Sequence, residues 1–557
     1  MPEDTARSGT PSPGPEPKRA KLAGERPRKS HRVRRADADE SVLDTVETLL
    51  RETWLAGHHG ASDAPSVPGA FGWPAGDQQG EAVFCRSPPV PAKLAGGNAA
   101  ECEFDVFVHE LTERGVGVAT RESPEQLSEL VSQGGRPWIF AVSFTLKGER
   151  ARIRSVRHGW GYTQADLLDV VEKSPLRIDA PCKYFGQCSG CQLQHIGYEQ
   201  QLEFKRHAVE RALAHANPLF AALTVLPPLP SPLQLGYRTK LTPHFELRRH
   251  ERPEDVPIGF MISGQRRVLD IEDCIIGTDA VRRGLAEARR NARANMAGYK
   301  RGATLIVRET NVPPSGTSGD LASTPNAELE KSYTLDPRSW VVDVVGDLKF
   351  SYPASSFFQN NASILPAFTG YVRDELTKWS GKLTAPDTNS GALRTLVDAY
   401  CGSGLFGIAC HSGFDKVIGI EISSESISCA GENAKVNNAT NVEFVLGDAS
   451  KIFEKTSASP DNTAVIIDPP RKGSTPDFLD QLVAYGPRVI VYIACGVPAQ
   501  ARDLNYMYCQ GAIVVDGQSA SPKAKPTAVY QVAGIQPFDL FPQTYHVENI
   551  VTLVRKN

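Results

Sequence analysis

The stretch TLVDAYCGSGLFGIAC, Thr395–Cys410, begins as a strand and ends as a helix. Leu396, Val397 and Ala399 are apolar, and Asp398 falls near the carboxyl end, where open α/β sheets place their ligands. Gly402, Gly404 and Gly407 then follow the spacing G-x-G-x-x-G. A main chain without Cβ atoms can pass close to a ligand there and enter a helix at once. Taken alone, the spacing suits a tight connection as well as a nucleotide-like cofactor. Working outward, KVIGIE (Lys416–Glu421) reads as a second strand whose last carboxylate lies about 20 residues past the turn, where an acid can bond ribose hydroxyls. VEFVLGD (Val442–Asp448), AVIIDPP (Ala464–Pro470) and VIVYIAC (Val489–Cys495) continue the series. Strands alternating with helical stretches predict a parallel sheet whose ligand edge carries Asp398, Glu421, Asp448, Asp468 and Cys495.

A dinucleotide-dependent oxidoreductase would share the glycine turn and Glu421, but has no use for a Cys at a later strand end beside Asp-Pro-Pro. The pattern resembles the class I S-adenosylmethionine methyltransferases. DPPRKG (Asp468–Gly473), YIACGVPAQARDL (Tyr492–Leu504) and FDLFPQTYHVENIVTLVR (Phe538–Arg555) are similar, in order and spacing, to motifs of the RNA uracil-5-methyltransferase family. The resemblance covers the final third of the chain. It implies a Rossmann-like catalytic domain with S-adenosyl-L-methionine as cofactor, contacted by Gln359, Tyr400, Glu421 and Asp468.

The chain has 557 residues, a formal net charge of −3 and 41% hydrophobic residues, enough for several cores and without the charge of a general polyanion binder. No run approaches the length of a membrane span. Eleven cysteines, odd in number and unevenly spaced, argue against an extracellular disulfide framework. We expect no membrane association, a monomer, and RNA as the partner, bound through local patches.

Four regions follow in order. Residues 1–100 read as a disordered basic region and linker, with nine Lys or Arg against one acid between Lys18 and Arg35. That arm suggests nuclear import or RNA contact, hence a nuclear or cytoplasmic rather than mitochondrial protein. Within it, Ser41–His58 carries a helical apolar stripe. Residues 101–177 have short strands joined by glycine turns, as in a small closed β-barrel, and resemble the TRAM module with its oligonucleotide-type fold. Arg150, Arg152 and Arg154 share one strand face there, suited either to successive phosphates or to solvent. Residues 178–347 form a central α+β domain, and 348–557 the catalytic domain. In the central part, Cys182, Cys188 and Cys191 have the spacing C-x5-C-x2-C, with Cys274 later. Sulfur count leaves zinc and an iron-sulfur cluster both open. The family resemblance implies a 4Fe-4S cluster on these four residues, with a structural role.

The chemistry implied is demanding, because C5 of uracil is a poor nucleophile. A thiolate adding at C6 turns the ring into an enolate reactive at C5, and a base must then remove the C5 proton. Cys495, at a strand end before a helix N-terminus, is the candidate nucleophile. By resemblance Glu548 is the base, with His546 a competitor; Arg471 and Lys472 would meet the RNA backbone. A target base must be flipped out of its RNA loop to be reached. The expected substrate is the T-loop uridine of tRNA, with rRNA, or RNA folding without catalysis, as alternatives. The last rests on Ala494 and Gly496, which flank Cys495 where the family usually has Ser and Asn; two further departures are Ala499 in place of a Thr and Leu405 in place of a polar residue.

Overall fold

The computed structural model describes residues 42, 45, 46, 48, 49, 102–135, 137–158, 162–247, 252–314, 324–383, 392–447, 458–520 and 526–556. The basic arm Lys18–Arg35 and Asp448 lie outside the described residues. The nuclear-import reading rests wholly on that arm, so nothing supports it.

Strands β1 (Glu103–Leu111), β2 (Val116–Thr120), β3 (Ile139–Ser143), β4 (Arg150–His158) and β5 (Tyr162–Glu172) close into a barrel in the order β1-β2-β3-β5-β4. Its interior holds Val106, Val108, Phe140, Val142, Ala151 and Ile153, the inward half of the period-two alternation. Val42, Val46 and Leu49 pack on its outside, against Leu127 and Val131. The arginine row on β4 faces acids. Arg150 and Arg152 both pair with Asp105, at 2.8 and 2.7 Å, and Arg154 pairs with Glu103 at 2.5 Å.

Two small antiparallel sheets form the central region. β6 (Lys240–Leu241), β11 (Val307–Val312) and β12 (Glu330–Thr334) make one, with β11 in the middle. β7 (His244–Glu246), β8 (Gly259–Met261), β9 (Val268–Asp270) and β10 (Gly302–Thr304) make the other. Helix Asp279–Ala294 buries Val281, Leu285 and Ala288 against Leu241 and Val307. A hairpin of β13 (Trp340–Val345) and β14 (Leu348–Pro353) leads onward.

The largest sheet has eight strands: β15 (Thr395–Ala399), β16 (Lys416–Glu421), β17 (Val442–Leu446), β18 (Thr463–Ile467), β19 (Val489–Ala494), β20 (Ile513–Val514), β21 (Tyr530–Phe538) and β22 (Glu548–Arg555). Their order is β17-β16-β15-β18-β19-β22-β21-β20. β15 to β19 are mutually parallel, and β22 returns antiparallel beside β19. Every residue of β18 and β19 is buried, as a strand covered on both faces requires. Val397, Val465, Ile467, Ile490 and Tyr492 serve one apolar layer, while Leu396, Ala464, Ile466, Val491 and Ile493 serve the other. Helix Tyr198–Ala216, within the segment read as central, contributes Val209, Ala212 and Leu213 to the first of these layers. Its buried Lys205 Nζ reaches Asp539 Oδ1 at 2.5 Å and the Phe541 carbonyl at 3.0 Å.

The expected iron-sulfur domain is not upheld. Among the described residues no group of three or more His, Cys, Asp or Glu is arranged to hold a metal ion. Cys182, Cys188, Cys191 and Cys274 are free thiols on a shared wall. Burial, and after it the neighbouring cysteines, push Cys191 up to about 12 and Cys274 up to about 11. The loop is held by hydrogen bonds instead. Ser189 N–H donates to the Met261 carbonyl at 3.0 Å and Ser263 N–H to the Gln187 carbonyl at 2.7 Å. Gln192 and Leu193 N–H both donate to the Gln543 carbonyl at 3.0 Å.

Candidate active site

At the carboxyl ends of β15, β16, β18 and β19 lies a cavity of about 850 Å³. β15 is flanked by β16 on one side and β18 on the other, so the chain reverses direction across the sheet here and opens a crevice. Tyr400 and Gly402 both have positive φ, 66° and 53°, and carry the backbone round the turn. Gly404 is required by contact as well: a Cβ there would sit 2.9 Å from Ile408 and from Phe444. The carboxylate of Glu421 is already oriented, accepting from Gly402 N–H at 3.3 Å and Ser423 N–H at 2.9 Å. Asp398, fully buried, accepts from Gly407 N–H at 2.8 Å and so ties the turn to β15, while its Oδ1 has no partner. Burial pushes Asp398 and Asp468 each up to about 7.

Gln359, Tyr400, Glu421 and Asp468 all line this cavity, and so do Cys495 and Glu548. Register brings the last two together. Ala494 on β19 pairs with Asn549 on β22, so Cys495 and Glu548 occupy the next facing position of the antiparallel ladder. Gln500 locks that register: its Nε2 donates to the Tyr492 carbonyl at 2.9 Å, and its Oε1 accepts from Asn549 Nδ2 at 2.8 Å.

Charge at the site is finely set. Burial, then the neighbouring Glu548 and Asp468, push the Cys495 thiol up to about 11, while Arg471 pulls it down. Burial and Asp468 likewise hold Glu548 well above the usual carboxylate range, with Arg471 again opposing. His546 is driven down to about 4 by burial and then by Arg471, Lys205, Arg238 and Arg114. Gly496 explains one departure from the family pattern, since a Cβ there would lie 2.4 Å from the Arg471 carbonyl oxygen. Asn360, Phe541 and Thr544 also line the cavity. Nothing in the spacing of the sequence pointed to them.

The doubly wound sheet, the glycine turn at its switch point and the acid-lined crevice define a class I S-adenosylmethionine-dependent methyltransferase fold, here with a closed β-barrel. Residues 344–513 match the model of the tRNA (uracil-5-)-methyltransferase family. The chain is 37% identical over 495 residues to the tRNA (uracil(54)-C(5))-methyltransferase of Saccharomyces cerevisiae, covering 81% of this chain and 73% of that protein. It is 39% identical over 422 residues to the protein of the same name from Schizosaccharomyces pombe, covering 75% of this chain and 74% of that one. The crystal structure of Pyrococcus abyssi tRNA (uracil-54, C5)-methyltransferase in complex with S-adenosyl-L-homocysteine superposes with a TM-score of 0.54 at 20% identity. It covers 81% of this chain and 100% of that one, a likeness of fold. The chain belongs to the RNA uracil-5-methyltransferase family. It is an enzyme of that family, methylating uracil C5 in RNA with S-adenosylmethionine as donor.

Proposed function

We propose that the substrate is the T-loop uridine of tRNA, uridine 54, with Cys495 as nucleophile and Glu548 as base. The observation that carries this reading is the facing position of Cys495 and Glu548 on β19 and β22, in one cavity with the glycine turn. The names of the yeast relatives support the choice of tRNA.

The residues present fit the donor. A cradle that excludes side chains at Gly404, the oriented Glu421 carboxylate and the cavity-lining Gln359, Tyr400 and Asp468 suit an adenosyl group and an amino-acid tail. S-adenosylmethionine supplies an electrophilic methyl on a sulfonium. Cys495 gives up its proton to solvent water, and its sulfur adds to C6 of the uracil, moving the C5–C6 electron pair into an enolate. C5 then forms the bond to the methyl, whose bond to the donor sulfur breaks and leaves a neutral thioether. Glu548, ionised by that stage, takes the proton from C5 as the C6–S bond breaks and the double bond returns. Arg471, which opposes protonation of both groups, eases each ionisation. The helix Val497–Cys509 begins directly after Cys495, and its N-terminal dipole adds to the same effect.

The test is incubation of the protein and methyl-labelled S-adenosylmethionine with tRNA and, separately, rRNA transcripts carrying 5-fluorouridine, from which no C5 proton can be removed. A covalent complex should accumulate with wild type and Glu548→Gln and be absent in Cys495→Ala. Label confined to rRNA would overturn the choice of tRNA, and an adduct surviving in Cys495→Ala would overturn the nucleophile.

A further inference from the structure

Ser355–Asn361, the strap that carries Gln359 into the cavity, belongs to neither sheet edge, yet it is gripped from the central region. Thr239 N–H donates to the Asn360 carbonyl at 2.9 Å, and Lys240 Nζ to the carbonyls of Ser355 and Ser356 at 3.1 and 3.4 Å. Beneath them lies a guanidinium with no exposure at all. Arg308 of β11 donates through Nη1 to Asn360 Oδ1 at 3.1 Å and through Nη2 to Asp343 Oδ2 of β13 at 2.9 Å, and also meets the Tyr352 hydroxyl. The Arg308 guanidinium lies 5.1 Å from the centre of the Tyr352 ring, which in turn stacks on Phe358 at 4.7 Å and 19°. Asn360 and Phe358 are the two neighbours of Gln359 in the chain.

A buried charge is costly to keep unless its geometry is used. Here one planar fork touches the residue after Gln359 directly and the residue before it through Tyr352. Arg308 itself does not line the cavity. We propose that Arg308, held by Asp343, is a positioning residue for the methyl donor: it fixes the strap so that Gln359 stands at the cofactor end of the cavity. This rests on reading Gln359 as a donor contact. It makes the central region a determinant of donor affinity, although the donor's glycine turn lies on the catalytic sheet.

The experiment is a set of variants of the full chain: Gln359→Ala, Asn360→Ala, Asn360→Asp, Arg308→Lys and Arg308→Lys/Asn360→Asp. Affinities for S-adenosylmethionine and for tRNA are measured by calorimetry and filter binding, with melting temperature alongside. Arg308→Lys keeps a charge for Asp343 but loses the fork, and should weaken donor binding about tenfold with tRNA affinity unchanged. Asn360→Ala should do the same. Asn360→Asp, which still accepts from the guanidinium, should keep donor binding near that of wild type with Arg308 in place and should not rescue Arg308→Lys. If Gln359→Ala leaves donor affinity intact, the reading of Gln359 is wrong. If Gln359→Ala weakens it while Arg308→Lys and Asn360→Ala do not, the brace is refuted. A drop in tRNA and donor affinity together, following the melting temperature, would mark Arg308 as structural only and also overturn the proposal. Should Arg308→Lys fail to fold, Asp343→Asn, which frees the fork from its anchor, takes its place with the same expected loss.

Discussion

At the scale of single residues, burial biases the reactive groups of the site toward their neutral forms. With Cys495 pushed up to about 11, its thiolate fraction near pH 7 is small and grows about tenfold per pH unit. The rate of adduct formation on 5-fluorouridine RNA should therefore rise steadily from pH 6.5 to 8.5. Arg471→Gln removes a cation that lowers the thiol and should slow adduct formation at pH 7 about tenfold or more, the difference shrinking as pH rises; rapid-quench measurements of the covalent complex check this. Asp398 and Asp468 give the opposite sign for stability. Their folded values near 7 exceed the unfolded value, so between about pH 4 and 7 the folded protein binds more protons than the unfolded chain. The ligand-free protein should thus become more stable as pH falls from 8 toward 6, and Asp398→Asn should flatten that dependence in denaturant titrations. Gly496 makes a third case. Its missing side chain had suggested loss of catalysis, but the Arg471 carbonyl occupies the space a Cβ would need. Gly496→Asn should cost about 1–3 kcal/mol by overpacking and depress activity, rather than improve it.

At the scale of elements, what could be read from the sequence was what repeats locally. The strand ends Asp398, Glu421, Asp468 and Cys495 were visible because each follows a short apolar run, and the structure sets them along one edge of the sheet. The barrel was visible in its glycine turns. Its arginine row left two readings open, and only the pairing of β1 with β4 puts Asp105 and Glu103 opposite those side chains. The cysteine quartet misled, because spacing records which sulfurs are near in the chain and says nothing of whether they meet at a point. Asn360 and the Arg308 brace were invisible for the same reason: their partners lie 52 and 35 residues apart in sequence. The lock between β19 and β22 is of this kind too. Gln500→Ala would leave the buried Asn549 amide without its acceptor and should cost about 1–3 kcal/mol, together with a loss of activity larger than that of a surface variant of equal stability. Urea titration and single-turnover rates on the same preparation separate the two effects.

At the scale of the whole molecule, the question is where a chain of net charge −3 finds its grip on a polyanion. The barrel arginines are an unpromising source, since Arg150, Arg152 and Arg154 are neutralised across the β1–β4 ladder by Asp105 and Glu103. Around the cavity the balance differs. Arg471 and Arg238 line it, so cations from the catalytic sheet and the central region face one cavity. Each phosphate contact contributes a slope of roughly 0.7 to 0.9 to the dependence of log affinity on log salt. Arg152→Gln should leave that slope for tRNA unchanged, whereas Arg238→Gln and Lys472→Gln should each lower it by close to one contact's worth. Titrations between 50 and 300 mM salt, over which the Debye length shortens roughly two-fold, resolve the difference. A fall in slope on changing Arg152 alone would place the backbone contacts on the barrel, and the acids on β1 would then have to yield their arginines when RNA binds.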